Sequence, residues 1–366
     1  MPKHTIPAYF LIPLLLLTLL ACQLTEVTIP TIVASPRPSL TPIPSHSSPP
    51  TPSSSPTPLP SPTASPLPPT PIITPSPQPS LQPSPLPSKT PITLDPEKLG
   101  TVAYNVTYCN TDGQSLLMDM YYPEEGDGPL PVAVFIHGGA WRSGNKSGGL
   151  GDCFFDTLLD RGYLLISLNY RLSPKYKFPA HIEDVKCAIR HLRAEAGNYG
   201  LDPEHIGVLG GSSGGHLAAL LGTSGGNESL EGHGEYLGYS SRVQAVVDIS
   251  GPVNTDFFCL PSVIQVVFDT TDCQSKIMTI ANPLTYITSD DPPFLILHGR
   301  NDKTVPLTQS LRLYAGLASA GLPVELITIK YAGHALYAWG TWYEPDMEIL
   351  QKKVGDFFDQ YLKNLP

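Results

Sequence analysis

A serine flanked by glycines is the feature of this sequence that most directly indicates chemistry. The segment Leu209-Gly210-Gly211-Ser212-Ser213-Gly214-Gly215-His216 follows the apolar run 206–209 and precedes the apolar run 217–221. A sharp strand-to-helix turn needs small neighbours, and the start of the helix offers backbone N–H groups to an anion. Two overlapping G-x-S-x-G frames make Ser212 or Ser213 the candidate nucleophile.

An acid and a histidine follow this serine in the order that a catalytic triad requires. The apolar run 294–299 precedes Asp302, and the run 324–329 precedes His334. The carboxyl ends of parallel strands meet at one edge of a sheet, so these side chains are predicted to converge there. Asp302 could instead cap the following helix. Asp256 is the second candidate acid, and Asp248 is less suited because it lies within a strand.

Three of the other histidines receive structural interpretations. His216 is expected to pack within the serine turn, His137 to make a structural hydrogen bond, and His298 to end a strand. His334 differs because it follows the candidate acid in a glycine-bearing loop. It is therefore predicted to act as the general base.

A second glycine-bearing loop follows the strand-like run 131–136. It reads His137-Gly138-Gly139-Ala140-Trp141. Residues without bulky side chains let backbone N–H groups approach a developing negative charge. Gly138, Gly139 and Ala140 are therefore candidates for an oxyanion hole, and Trp141 is expected to pack the loop.

The coarse layout predicts an α/β fold with a mostly parallel central sheet and helices on both faces. Strand-like and helical runs alternate after residue 130, as crossover connections between parallel strands require. Strands are predicted at 102–108, 116–122, 131–136, 163–168, 206–209, 243–249, 294–299 and 324–329, and helices at 154–159, 179–196, 307–320 and 345–362, with an irregular cover over 251–291.

The N-terminal part predicts an exported, membrane-anchored chain. Residues 1–22 contain an apolar stretch that ends in Leu19-Leu20-Ala21-Cys22, which resembles a lipoprotein signal with Cys22 as the lipidated residue. The alternative is an ordinary signal peptide of a secreted protein. The Pro-, Ser- and Thr-rich segment 23–96 cannot bury a core and is predicted to be a disordered linker. Residues 97–366 then form the catalytic domain, outside the cytoplasm.

Charge and motif content exclude several partners. The formal net charge of −10 argues against nucleic-acid binding. Neither C-x-x-C nor H-E-x-x-H occurs, so no metal site is predicted. No cofactor is expected.

Five cysteines remain besides Cys22, in a compartment that permits disulfides. Cys259 and Cys273 bracket a polar loop and are predicted to pair, and Cys109 and Cys153 form the second predicted pair. Cys187 lies on the apolar face of a helix and is interpreted as a buried free thiol. Because four cysteines allow three connectivities, these pairings are guesses from position.

Taken together, the motifs resemble the hormone-sensitive-lipase-like branch of α/β-hydrolase esterases, and within it the bifunctional acetylxylan and feruloyl esterase group. Bacterial kynurenine formamidases are also similar. The resemblance covers about 104–362 and implies the α/β-hydrolase fold and ester hydrolysis through a serine, without a cofactor. The motifs that carry it are HGGAW, NYRLSP (169–174), PAHIED (179–184), GGSSGGHLAALLG and the Asp302 and His334 loops.

The resemblance also assigns roles within the serine turn. The family commonly has Ser-Ala-Gly-Gly where this chain has Ser212-Ser213-Gly214-Gly215. This match makes Ser212 the nucleophile and gives the oxyanion donors as the amides of Gly139, Ala140 and Ser213. Acetyl or feruloyl-type esters are the expected substrates. The alternatives are a prolyl-oligopeptidase-like serine peptidase, an aryl-formamidase, and a binding protein on an inactive hydrolase scaffold.

Overall fold

The computed structural model describes residues 91–334, 336 and 342–363. The predicted signal segment with Cys22, and nearly all of the predicted linker, lie outside these residues. Ile92 and Leu94 pack against the main hydrophobic core. The folded domain therefore includes residues before the predicted boundary at 97.

An eight-stranded sheet forms the centre of the domain, in the order β1-β2-β4-β3-β5-β6-β7-β8. The pairs β1–β2 and β2–β4 are antiparallel, and the other neighbours are parallel. The mostly parallel α/β-hydrolase architecture is thus confirmed. The strands are β1 (Val102–Thr111), β2 (Gln114–Tyr121), β3 (Leu130–Ile136), β4 (Leu164–Leu168), β5 (Leu201–Gly211), β6 (Ala245–Ile249), β7 (Phe294–Gly299) and β8 (Val324–Ile329).

Helices cover both faces of this sheet. Within the described residues they are α1 (Phe155–Asp160), α2 (Ala180–Ala194), α3 (Ala196–Tyr199), α4 (Ser213–Thr223), α5 (Thr255–Phe258), α6 (Ile264–Phe268), α7 (Lys276–Ile280), α8 (Thr308–Ser319) and α9 (Met347–Leu362). One hydrophobic cluster holds side chains of α2, α4 and α8, and a second holds side chains of α1 and α9. The inner strands β4, β6 and β7 are buried throughout, because side chains on both of their faces meet helices.

Two differences from the sequence-based layout concern local structure. The predicted irregular cover over 251–291 contains the three short helices α5, α6 and α7. The predicted helix 179–196 ends at Ala194, and α3 follows as a separate turn. Among the helices that the structure describes, none is long and apolar enough to cross a bilayer.

The cysteine pairing differs from the prediction in one of the two bonds. Cys109 of β1 bonds to Cys187 of α2, with their Cα atoms 6.5 Å apart. The predicted Cys109–Cys153 pair and the free thiol at Cys187 were therefore wrong. Cys109 and Cys187 both belong to the main core, whereas Cys153 packs against the cluster of α1 and α9 on the other face of the sheet. A second disulfide joins Cys259 to Cys273, as expected.

Candidate active site

The serine turn has the strained geometry that its glycines suggested. Ser212 joins β5 to α4 with φ 57° and ψ −122°, a conformation that costs a non-glycine residue free energy. A Cβ atom on Gly210 would lie 2.4 Å from the carbonyl oxygen of Gly214, and one on Gly214 would lie 2.1 Å from that of Ile136. Both positions therefore require glycine. The backbone N–H of Ser212 donates to the carbonyl of Ile249 in the neighbouring strand, which fixes the turn to the sheet.

His334 connects this serine to Asp302. The Nε2 atom of His334 lies 3.0 Å from the Ser212 hydroxyl oxygen, and Nδ1 lies 2.7 Å from Oδ2 of Asp302. With the Nδ1 proton donated to the carboxylate, Nε2 accepts from the serine hydroxyl. The His334 side chain is 25% exposed and that of Asp302 is fully covered, so the imidazole is open to solvent and the carboxylate is not.

The Asp302 carboxylate is held by four donor groups. Oδ1 accepts the backbone N–H groups of Thr304 and Val305, at 2.8 and 2.9 Å. Oδ2 accepts from His334 and lies 3.4 Å from Nε2 of His298. Burial by itself would raise the pKa of Asp302, but the hydrogen bonds from His298 and His334 outweigh it and hold the pKa well below its usual range. The acid therefore stays ionised beside the imidazole.

His298 contacts Asp302, although the sequence motifs did not assign His298 to the site. Its Nε2 atom is 2.9 Å from the carbonyl oxygen of Val305, and its Nδ1 atom is 2.7 Å from the hydroxyl oxygen of Ser310. His298 thereby ties the end of β7 to the loop that carries Asp302. The sequence feature that could have indicated this contact is the position of His298 at the end of a strand, four residues before Asp302.

The loop that holds three of the predicted oxyanion residues contacts Ser212 at Gly138. A Cβ atom on Gly138 would lie 3.3 Å from the Cβ of Ser212, so this loop passes directly over the nucleophile candidate. Gly139 and Ala140 have φ angles of 116° and 54°. Among the described residues, no group accepts a hydrogen bond from the N–H of Gly138, Gly139, Ala140 or Ser213. These four amides are therefore available to a bound anion.

The other candidate acids are placed elsewhere. The Asp256 side chain is 72% exposed and pairs with Arg312. Asp248 is buried in β6, where one oxygen accepts the N–H of Gly251. Burial raises the pKa of Asp248 to about 7. Neither residue replaces Asp302 beside His334.

The remaining histidines of the site are structural. His216 accepts from the indole N–H of Trp141 and bonds the carbonyl of Ala281, and burial lowers its pKa to about 4. The His137 ring stacks on Tyr170 with centroids 4.4 Å apart, and burial lowers its pKa to about 4 as well. Both rings are thus neutral near pH 7 and shape the loop that carries Gly138 and Gly139.

A sequence profile matches residues 118–317, which is more than half of the chain, and its family is BD-FAE. The chain belongs to the BD-FAE family. The matched residues 118–317 include the serine turn, the HGGAW loop and Asp302, whereas His334 lies beyond the end of the match.

Several curated relatives and solved structures carry the names of ester hydrolases. The probable carboxylic ester hydrolase LipM of Mycobacterium tuberculosis is 34% identical over 227 residues, which are 58% of this chain and 51% of LipM. The chain thus spans about half the length of this relative. A carbohydrate esterase from gut microbiota, solved in truncated form, is 29% identical with a TM-score of 0.61, and covers 74% of this chain and all of that structure. The bifunctional GH43-CE of Bacteroides eggerthii is 33% identical with a TM-score of 0.61, covering 71% of this chain and 35% of its own.

Proposed function

We propose that this chain is a serine carboxylic-ester hydrolase that acts through an acyl-enzyme on acetyl or feruloyl-type esters. The hydrogen-bonded series Ser212, His334 and Asp302 carries the proposal. Membership of the BD-FAE family and the names of the esterase relatives support it. The carbohydrate esterases among the similar structures favour esters attached to polysaccharides.

The geometry suggests how the two steps would proceed. The Ser212 oxygen attacks the ester carbonyl while its proton passes to Nε2 of His334, and Asp302 stabilises the imidazolium. The carbonyl oxygen becomes an oxyanion, which accepts hydrogen bonds from the backbone N–H groups of the 138–140 loop and of Ser213. His334 then gives the proton to the leaving alcohol. In the second step, water loses a proton to His334 and attacks the acyl carbon. The bond from that carbon to the Ser212 oxygen breaks, the acid leaves, and the serine oxygen takes the proton back from His334.

Matched serine variants test this function. We expect wild-type protein to hydrolyse p-nitrophenyl acetate, Ser212→Ala to lose on the order of a million-fold in kcat, and Ser213→Ala to keep most activity because its backbone N–H remains. A fluorophosphonate should label Ser212, as located by peptide mass spectrometry. Full activity in both variants, or labelling of neither serine in wild-type protein, would contradict the proposal.

A substrate panel tests the finer part of the proposal. Acetylated xylan, methyl ferulate, longer acyl esters, a proline peptide anilide and an N-formyl aniline should be compared by kcat/KM. We expect the acetyl and feruloyl esters to be preferred. Faster turnover of the peptide or of the formamide would assign the same triad to a peptidase or a formamidase.

We also propose that the protein is anchored outside the cytoplasm through a lipid on Cys22. The Leu-Ala-Cys ending of the apolar stretch supports this, as do the disulfides Cys109–Cys187 and Cys259–Cys273, because such bonds persist in oxidising compartments. Radiolabelled palmitate should enter wild-type protein in cells but not Cys22→Ser. An exported but unlabelled wild-type protein would indicate an ordinary signal peptide.

A further inference from the structure

The segment after β4 contacts the candidate oxyanion loop on both sides of its three amides. The Tyr170 hydroxyl donates to the carbonyl oxygen of His137 at 3.0 Å, immediately before Gly138. The backbone N–H of Ser173 donates to the carbonyl oxygen of Trp141 at 2.8 Å, immediately after Ala140. Residues 138–140 are therefore held between two hydrogen bonds from one neighbouring segment.

Tyr170 contacts this loop through its ring as well. Its ring stacks on the His137 imidazole at an interplanar angle of 13°. Tyr170 is 3% exposed, so its hydroxyl is shielded from solvent. One buried phenol thus contacts the residue that precedes the Gly138–Ala140 amides through both its ring and its hydroxyl.

The segment that carries Tyr170 is itself fixed to the domain. The Tyr108 hydroxyl donates to the carbonyl of Asn169. The backbone N–H and guanidinium of Arg171 both donate to the buried carboxylate of Asp184 in α2. The disulfide Cys109–Cys187 joins α2 to β1 close to these contacts. Tyr170 therefore extends from an anchored segment towards a loop whose own turns have strained φ angles.

From this arrangement we infer that Tyr170 is a positioning residue that aims the Gly138–Ala140 amides at the oxyanion. The inference rests on the proposed function and extends it to a residue that does not touch the ester. Oxyanion donors act through preorganisation, so a small rotation of the loop weakens binding of the transition state more than binding of the ester. Removal of the hydroxyl should therefore lower kcat and leave KM nearly unchanged.

The test compares two tyrosine-to-phenylalanine variants. Tyr170→Phe keeps the ring and removes the hydroxyl bond to His137. Tyr122→Phe is the matched control, because it removes the hydroxyl bond of a buried tyrosine to the carbonyl of Tyr199 and involves neither the loop nor the segment that carries Tyr170. We expect kcat of Tyr170→Phe on p-nitrophenyl acetate to fall about 10- to 100-fold per titrated active site, against a change of less than 3-fold for Tyr122→Phe.

A transition-state analogue distinguishes positioning from a general loss of structure. An alkyl trifluoromethyl ketone adds to the serine and places an oxyanion where the ester oxyanion would form. Its affinity for Tyr170→Phe should fall by the same factor as kcat/KM, while the affinity for the unreactive methyl ketone of the same chain length stays within 2-fold.

Each alternative result is informative. Equal kcat in the two variants, or unchanged affinity for the trifluoromethyl ketone, would overturn the inference. Failure of Tyr170→Phe to fold while Tyr122→Phe folds would overturn it as well, since the hydroxyl would then serve stability. Absence of any ester hydrolysis by wild-type protein would instead contradict the proposed function.

Discussion

The Oδ2 atom of Asp302 lies 2.7 Å from the Nδ1 atom of His334. This contact joins two loops that are 32 residues apart in sequence and follow the neighbouring parallel strands β7 and β8. Because the two strands end at the same edge of the sheet, the order of the strands is enough to bring the carboxylate and the imidazole together. The pair then sets which nitrogen of His334 faces Ser212.

Replacement of the acid by its amide should show this dependence. Asp302→Asn keeps an oxygen for the N–H groups of Thr304 and Val305, but its amide N–H₂ cannot accept the Nδ1 proton of His334. The imidazole would then present the wrong tautomer to Ser212, and we expect kcat to fall about 10⁴-fold. Stopped-flow and steady-state assays on p-nitrophenyl acetate measure this change.

The control for this variant is Asp256→Asn. Asp256 is the other acid that the sequence made a candidate, and its exposed side chain pairs with Arg312. We expect full activity from Asp256→Asn. The reverse result, a severe loss at Asp256 and a mild one at Asp302, would remove Asp302 from the triad.

A methyl group on the candidate oxyanion loop should impair catalysis more than folding. Gly139 has a φ of 116°, and a Cβ atom there would lie 2.1 Å from the carbonyl oxygen of Ser143. Gly139→Ala must therefore shift the loop, and the loss of an aligned donor predicts a kcat about 10²- to 10³-fold lower. Gly197→Ala is the control, because nothing lies within 4 Å of its Cβ position. A Gly139→Ala variant with wild-type kcat would exclude the amides of this loop as oxyanion donors.

These features differ in how far the sequence could predict them. The triad residues and the HGGAW loop each follow a strand, so the order of local motifs was enough to bring them together. The contact of His298 with Asp302 and the bond of Tyr170 to His137 depend on how loops cross between strands, and no local pattern encodes that path.

The pairing of Cys109 with Cys187 could not be predicted from local sequence either. The apolar environment of Cys187 was predicted correctly, but burial does not say which element covers the residue. The antiparallel pairing of β2 with β4 adds the β1–β2 hairpin to the edge of the sheet, where Cys109 of β1 meets Cys187 of α2 in the core that α2 covers. Cys153 was closer in sequence to Cys109 but packs on the opposite face.

This bond should contribute strongly to stability. It links residues 78 apart, and the loss of loop-closure entropy in the unfolded chain predicts about 4.5 kcal/mol. The double variant Cys109→Ala/Cys187→Ala should unfold at correspondingly lower urea concentration. Cys259→Ala/Cys273→Ala is the comparison: its bond closes a loop of 14 residues, and the expected loss is about 3 kcal/mol. A larger loss for the shorter loop would contradict this entropic account.

The buried carboxyl of Asp248 should make stability depend on pH. Burial raises its pKa to about 7 in the folded protein, against about 3.9 in an unfolded chain. Between these values the folded state binds more protons than the unfolded state, so this group's contribution to the free energy of unfolding falls as pH rises towards 7. The buried histidines with lowered pKa values act in the opposite direction, which obscures the effect in wild-type protein alone.

A difference measurement isolates the effect of Asp248. Asp248→Asn cannot ionise and keeps an oxygen for the N–H of Gly251, while the histidine contributions cancel between the two proteins. We expect the stability of wild-type protein relative to Asp248→Asn to fall by on the order of 3 kcal/mol between pH 4.5 and pH 8, measured by urea unfolding. Asp127→Asn, at an exposed carboxyl, should show no such trend. A flat difference for Asp248→Asn would mean that the carboxyl is ionised in the folded protein throughout this range, and that groups around it compensate for its burial.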